Sequence, residues 1–155
     1  MRGRVAATLL MGAFAPAAIG ALAGCREDPA SPPTACFERS AVRAALATTS
    51  GARRLADGTA ISRCVELSTS DEFLQDLGLV LTDVAHVLAE RALDGDAAAA
   101  EQLGYLVGAV GKGSERGQGV QLELARRLES SARPLRQERA AGALLSGLRA
   151  GKQRG

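Results

Sequence analysis

Apolar residues recur at helical spacing over most of the chain beyond residue 34. The strongest pattern lies in residues 70–93, where they repeat at positions i, i+4 and i+7 and so share one face of an α-helix. That face covers an arc of about 160°, which is typical of the central helix of a bundle. Its members are Phe73, Leu74, Leu77, Val80, Leu81, Val84, Ala85 and Leu88.

Shorter segments with the same periodicity lie on both sides of this helix, and glycine- or proline-containing breaks separate them. The glycine-rich break at 111–119 is expected to be a flexible loop between helices. No segment alternates in the manner of a β-strand. We therefore predict an all-α fold, a small bundle of four to five helices over residues 34–150, with a disordered tail at 151–155. The shorter helical segments are residues 36–48, 61–67, 97–110, 120–131 and 135–149.

Helix ends and inward faces follow from the same pattern. Thr34 and Asp96 are expected N-caps, and Thr69 with Glu72 has the form of a capping box. The Gly104-x-x-x-Gly108 spacing lets a neighbouring helix backbone approach closely. The side chains expected to face the core outside the central helix are Phe37, Ala41, Val42, Ala45, Leu46, Leu103, Leu106, Val107, Val110, Val120, Leu124, Leu128, Ala141, Leu144, Leu145 and Leu148.

Composition agrees with a helical fold and argues against several kinds of metal site. Aromatic residues make up 3% of the 155 residues and Trp is absent, whereas β-sandwiches and barrels favour β-branched and aromatic side chains. The single histidine, His86, excludes sites that need two imidazoles, such as a ferritin-like di-iron centre. No further Cys or His stands at metal-ligand spacing, so neither a metal nor a cofactor is expected.

The amino terminus has the layout of an export signal. Arg2 and Arg4 precede an uncharged stretch, residues 5–23, and the segment closes on Leu22-Ala23-Gly24-Cys25. These last four residues resemble the lipobox of bacterial lipoprotein precursors. The resemblance implies that residues 1–24 are removed as a signal peptide. It also implies that acyl chains are attached to Cys25 and hold the protein on a membrane of the cell envelope.

The residues after the lipobox predict a tether and indicate the membrane on which the protein is anchored. Residues 25–33 are polar and rich in proline, so they form a semi-extended leash that reaches on the order of 25 Å. In lipoproteins sorted by the enterobacterial route, Asp directly after the lipidated Cys marks retention at the inner membrane. Arg26 stands there in this chain. The resemblance therefore favours the outer membrane, on its periplasmic face, if the cell has two membranes.

Cysteine parity bears on two other interpretations of the amino terminus. Residues 5–23 could span a bilayer as an uncleaved anchor, and Ala21-Leu22-Ala23 fits the site of ordinary signal peptidase. Lipidation of Cys25 leaves Cys36 and Cys64 as an even pair in an oxidising compartment, whereas cleavage before Gly24 leaves three thiols. We therefore predict a Cys36–Cys64 disulfide, with two buried free thiols as the alternative.

Charge is balanced overall but unevenly distributed. Removal of residues 1–24 leaves 17 basic and 17 acidic residues, so the mature chain is neutral and gives no general case for nucleic-acid binding. Residues 66–101 carry nine acids and one base, whereas residues 111–155 carry ten bases and four acids. The basic segment 133–154 is either a solvated terminus or a contact for anionic lipid head groups.

An acidic stripe follows the polar side of the central helix. Asp76, Asp83 and Glu90 recur every seven residues, and Glu72 extends the stripe. It is either a solvated surface or a binding face for arginines of a partner or of the fold. His86 lies on the same side and, with Asp83 or Glu90, is the one acid–base group that the sequence offers. The candidate arginines within the fold are Arg126, Arg127, Arg133, Arg136 and Arg139.

Taken together, these features predict a membrane-anchored lipoprotein of the bacterial envelope with a non-catalytic binding or scaffold role. Its membrane contact is the lipid on Cys25, and its expected partner is an envelope protein that binds Asp76, Asp83 and Glu90. No catalytic residue and no nucleic-acid partner are expected. The alternatives are a small-ligand carrier with a pocket between helices and an envelope enzyme that uses His86.

Overall fold

The computed structural model describes residues 31–49, 51–117 and 119–155, and this part of the chain is all-α, as predicted. It has six α-helices rather than the predicted four to five, and each of the six segments with helical periodicity overlaps one of them. No β-strand occurs among the described residues, where one isolated bridge pairs Arg54 with Ala60. The α-helices are α1 Arg39–Ala47, α2 Ile61–Leu67, α3 Asp71–Leu93, α4 Ala97–Ser114, α5 Val120–Ala132 and α6 Ala141–Arg154.

The predicted signal peptide 1–24, the predicted lipidation site Cys25 and most of the tether lie outside the described residues. The described chain begins at Ser31, and Pro32 is already buried against the domain. The lipoprotein assignment therefore stays a prediction from the amino-terminal sequence.

Two predicted helices are each split by a glutamate in extended conformation. The segment 36–48 divides at Glu38 into a 3-10 helix, Thr34–Phe37, and α1. Thr34 opens the 3-10 helix but provides no side-chain cap. The segment 135–149 divides at Glu138 into a second 3-10 helix, Pro134–Gln137, and α6.

The central helix α3 has the buried face that its periodicity predicts. Leu77, Leu81, Val84 and Ala85 are fully buried, and the rest of the apolar stripe is buried with them except Phe73, which is half-buried. Its N-cap is Ser70, one residue after the predicted Thr69, because the Ser70 hydroxyl oxygen accepts the Phe73 N–H at 3.3 Å. Phe73 stacks on Phe37 with the ring centroids 5.7 Å apart.

The tightest helix contact joins α4 to α6, and the two helices run parallel. Gly104 faces Leu144 and Leu148, and Gly108, one turn later, faces Leu148 and Lys152. A methyl group at either glycine would overlap the main chain of α6. The predicted close approach at Gly104 and Gly108 is therefore confirmed, and α6 is the helix that makes it.

The α6 side of this contact is also built from glycine. Gly147 lies on the backbone between Glu101 and Tyr105, and Gly151 lies on the backbone between Tyr105 and Ala109. We call the four glycines Gly104, Gly108, Gly147 and Gly151 the glycine seam. The two backbones interlock along it, and no side chain separates them at these four positions.

Residues 151–155, predicted to be a disordered tail, are ordered and pack against the domain. The helix α6 continues to Arg154, and Gly155 is buried. The carbonyl oxygen of Gly155 accepts hydrogen bonds from Ser62 Oγ at 2.7 Å and from Lys112 Nζ at 2.9 Å. Packing against α4 thus orders a segment whose composition alone predicted disorder.

The first part of the predicted glycine-rich loop 111–119, residues 111–114, is helical. The helix α4 continues through Gly111 and Gly113 to Ser114 because α2 packs directly on this turn. A methyl group at Gly113 would overlap the carbonyl oxygen of Ser62. Beyond the turn, buried Gln121 donates to the carbonyl oxygens of Val65 and Ser68 at 3.0 and 3.1 Å, which ties α5 to the end of α2.

A disulfide and a buried arginine fix the first third of the domain. The sulfurs of Cys36 and Cys64 are 2.06 Å apart, as the predicted pairing requires. Arg53 is buried in the loop before α2, its guanidinium carbon 4.7 Å from the centroid of the Tyr105 ring. Its Nη2 donates to Glu101 Oε1 at 2.8 Å. These contacts hold the segment around Arg53 against α4.

Candidate binding surface on α3 and α5

An open groove of about 610 Å³ lies between α3 and α5. Apolar side chains line its floor, and polar and charged side chains surround it. We call it the α3/α5 groove. Its lining residues are Leu74, Gln75, Gly78, Leu79, Thr82, Asp83 and His86 from α3, and Val120, Glu123, Leu124 and Arg127 from α5.

At Gly78 the α3 side of the groove carries no side chain. A methyl group at this position would lie 3.9 Å from Leu124 Cδ1, which is ordinary van der Waals contact, so the space beside it is unfilled. Leu79, the next residue, is 68% exposed, and Val120 on the opposite wall is 50% exposed. Two large apolar side chains therefore stand in solvent at the groove's edge.

Neither exposed side chain was assigned to this surface from sequence. Val120 was expected to face the core, as was Leu145, which is 45% exposed. Leu79 was left out of the apolar stripe because it falls on the opposite side of α3, among the acids. That position was itself the available signal, since a leucine within an acidic helix face has no core to enter.

The predicted acidic stripe is on the surface and runs beside the groove. Asp76 and Glu90 are exposed and Asp83 is half-buried, with Leu79 and His86 on the same side of the helix. Among the described residues, Glu72 and Asp76 have no ion-pair partner. These two carboxylates make the first part of α3 electronegative on its polar side.

The arginines that reach the stripe come from α1 and not from the predicted C-terminal set. Arg39 Nε lies 3.3 Å from Asp83 Oδ2, and Arg43 Nη2 lies 3.9 Å from the same oxygen. Arg127 instead pairs with Glu123 on its own helix, with Nε 3.1 Å from Oε1. The interpretation that residues 126–139 neutralise the stripe within one chain was therefore wrong for Asp83.

His86 is a surface residue at one end of the groove. Its side chain is 73% exposed, and its Nε2 lies 3.4 Å from Glu90 Oε1. Among the residues that the structure describes, no Ser, Cys or Lys lines the groove to act as a nucleophile, and Thr82 lies one turn before His86. The geometry gives the imidazole a carboxylate neighbour but no second group to form a catalytic pair.

The carboxyl group of Asp96, in the turn between α3 and α4, has a lowered pKa. Asp96 is the predicted N-cap of α4, confirmed by its Oδ1, which accepts the Ala99 N–H at 3.0 Å. That hydrogen bond and the one from the Arg91 guanidinium lower the pKa of Asp96 below its ordinary value. This residue shapes a helix end and lies outside the groove.

Two general features are absent from the part of the chain that the structure describes. No cluster of three or more His, Cys, Asp or Glu side chains there could hold a metal ion. No helix there is long and apolar enough to cross a membrane.

Comparison with known proteins adds no assignment. No protein-family model, curated protein or solved structure matches this chain. The function therefore has to be argued from the residues of the α3/α5 groove and from the amino-terminal sequence.

Proposed function

We propose that this protein is a lipid-anchored binding protein of the bacterial envelope, tethered through Cys25, which holds a protein partner on the exposed face of α3. The observation that carries the binding role is the α3 surface itself. An acidic stripe there, in which Glu72 and Asp76 have no ion-pair partner among the described residues, runs beside an open apolar groove that leaves Leu79 in solvent. The role requires no catalysis.

The envelope location has separate support. The lipobox-like Leu22-Ala23-Gly24-Cys25 favours anchoring, and the pairing of Cys36 with Cys64 accords with an oxidising compartment. Arg26 favours the outer membrane by resemblance to sorted lipoproteins. A tether of the predicted length would leave the domain free to reach partners near the membrane.

The anchor is tested by the intact mass of the protein extracted from host membranes. We expect residues 25–155 plus acyl groups, with Cys36 and Cys64 alkylated only after reduction. A chain without acyl groups that begins at Gly24 would contradict the lipoprotein assignment and would indicate a soluble exported protein.

The binding face is tested by a triple substitution, Asp76→Asn, Asp83→Asn and Glu90→Gln. We expect the partner that co-purifies from host membranes to be lost, and the wild-type interaction to weaken with salt because it is electrostatic. The matched control is Glu115→Gln, Glu129→Gln and Glu138→Gln, which removes the same charge from exposed positions outside α3. Equal recovery of the partner with both triple variants would exclude the acidic face.

Both triple variants should fold, because exposed ion pairs such as Arg39–Asp83 contribute only about 0–1 kcal/mol each. Circular dichroism and the thermal midpoint check this before any binding result is interpreted.

A small-ligand carrier is the second candidate, and the size of the groove favours it. About 610 Å³ lies within the range of small-molecule pockets, roughly 300–1,000 Å³. Such a carrier would release an identifiable small molecule when the natively purified protein is denatured and extracted. The enzyme alternative depends on His86, and a His86→Ala variant with full biological function would remove it.

A further inference from the structure

We infer that the α3/α5 groove is the docking site for an amphipathic helix of the partner, about three turns long, whose edge over α3 is rich in Lys and Arg. This inference rests on the proposed function and specifies the chemistry of the partner. Helices that bind in grooves do so through apolar anchors at i, i+3, i+4 and i+7.

The length of the groove sets the length of the helix. Along α3 its lining runs from Leu74 to His86, which at the rise of an α-helix is about 18 Å, or three turns. Along α5 it runs from Val120 to Arg127. A helix laid between these walls would pack against two helices at once, as in an ordinary bundle.

The apolar part of the groove supplies the anchor contacts. Gly78 and Leu124 form a floor into which side chains can descend, and Leu79 and Val120 stand on opposite edges. Because Leu79 is 68% exposed, burying it beneath a partner would gain apolar burial that the isolated chain lacks. It is the residue from which we expect the largest binding contribution.

The charges decide which way the partner faces. On the α5 wall Glu123 pairs with Arg127, and on the α3 wall Asp83 pairs with Arg39 and Arg43. Beside that wall, in the acidic stripe, Glu72 and Asp76 have no ion-pair partner among the described residues. Glu90 has only His86 beside it. Electrostatic complementarity therefore requires basic side chains on the edge of the docked helix that lies over α3.

Two other occupants fit less well. A small ligand in its pocket is usually 70–90% buried or more, but this groove is open along its length and its most prominent apolar side chain stands in solvent. A second copy would have to offer an exposed apolar stripe of its own. Its basic helix α6 exposes one large apolar side chain, Leu145, and the residue one turn later is Arg149. One exposed leucine does not make an apolar stripe, so α6 of a second copy fits the groove poorly.

Photo-crosslinking in host cells tests this inference on the full, membrane-bound chain. A benzoylphenylalanine placed at position 79 is the probe, and the same residue at position 145, another exposed leucine, is the control. We expect an adduct from position 79 alone. Mass spectrometry should map it to a protein segment with apolar residues at i, i+3 or i+4 and i+7 and an excess of Lys and Arg. In a chain without the crosslinking residue, Leu79→Gln should lower the amount of co-purified partner by about tenfold, as expected for an important interface residue.

Four results would overturn the inference: an adduct with a second copy, an adduct with a lipid or small molecule, an adduct with an acidic or non-helical segment, or no adduct from position 79. The acidic triple variant separates this failure from failure of the proposed function. If that variant loses the partner while Leu79→Gln retains it, the acidic face binds and the groove does not. If neither variant loses it, the proposed function fails as well.

Discussion

The glycine seam and the α3/α5 groove both contain helix positions without a side chain, and they differ in what occupies the space beside the glycine. In the seam, Gly104 and Gly108 on α4 meet Gly147 and Gly151 on α6, and main chain fills the space that each glycine leaves. In the groove, Gly78 on α3 faces only the tip of Leu124, and the space stays open. One surface is closed within the chain and the other is available to a partner.

This contrast shows how to interpret glycine in a helix. Glycine costs roughly 0.5–1 kcal/mol relative to alanine in a helix interior, so its presence calls for a compensating contact. The seam has that compensation inside the fold. At Gly78 the described structure shows only Leu124 Cδ1, 3.9 Å from where a methyl group would lie, and the groove beside it stays open.

The largest expected effect comes from closing the space in the seam. Gly147→Ala places a methyl group on the carbonyl oxygen of Glu101, so α4 and α6 must separate, and we expect the free energy of unfolding to fall by about 3 kcal/mol or more. The matched control is Gly142→Ala on the same helix, where the added methyl meets nothing within 4 Å. Urea denaturation of both variants checks this, and an equal effect of the two substitutions would contradict the seam's role.

Removal of the Cys36–Cys64 disulfide is the next largest effect. The paired positions are 28 residues apart, and the chain-entropy model gives a stabilisation of roughly 3–4 kcal/mol for a loop of that size. We expect thermal unfolding of the Cys36→Ser/Cys64→Ser variant at a clearly lower midpoint than the oxidised protein. Reduction of the wild type should reproduce the shift, and an unchanged midpoint in both would show that the pair contributes no stability.

A glycine-to-alanine substitution in the groove should raise the free energy of unfolding, whereas the same substitution in the seam should lower it. Gly78→Ala adds a methyl at ordinary contact distance from Leu124 and improves helix propensity, so we expect a gain of about 0.5–1 kcal/mol in the free energy of unfolding. Urea denaturation beside Gly147→Ala measures the difference. A loss at Gly78 would mean that the groove is a packed contact after all.

The smallest effect concerns Asp96, which caps the seam helix α4. Because its pKa is lowered in the folded state, the charged carboxylate stabilises the protein at pH values above the unfolded pKa of about 4 and loses that contribution as the pH falls through the lower folded value. Asp96→Asn retains a capping side chain but not the charge. We expect the stability difference between wild type and variant to be constant above about pH 5 and to shrink below pH 4. A difference that grows on acidification would contradict this assignment.

Local patterns of the sequence predicted the parts of the fold that local forces determine. The buried stripe of α3 and the Asp96 cap depend on residues within one or two turns of each other, and both are confirmed. The disulfide followed from counting cysteines and is confirmed in the same way. Gly104 and Gly108 indicated a close helix approach but could not identify the partner helix.

What the sequence did not predict depends on contacts between distant segments. The sequence around Gly151 has no pattern that predicts its contact with Tyr105, so the end of α6 was assigned to a disordered tail. Arg39 reaches Asp83 across a large sequence separation, and no periodicity marks such a pair. For the candidate site, the acidic stripe was predicted, but the groove beside it is formed by α3 and α5 together and follows from neither helix alone.

The central claim, that a partner docks in the α3/α5 groove, is tested most directly by filling the groove. Gly78→Leu places an aliphatic side chain into the groove, whereas Gly142→Leu adds the same side chain to α6, where nothing lies within 4 Å of its first carbon. The measurement is the amount of partner that co-purifies with each full-length variant from host membranes. We expect Gly78→Leu to lose the partner and Gly142→Leu to retain it, with both chains folded. Full recovery with Gly78→Leu would contradict the account.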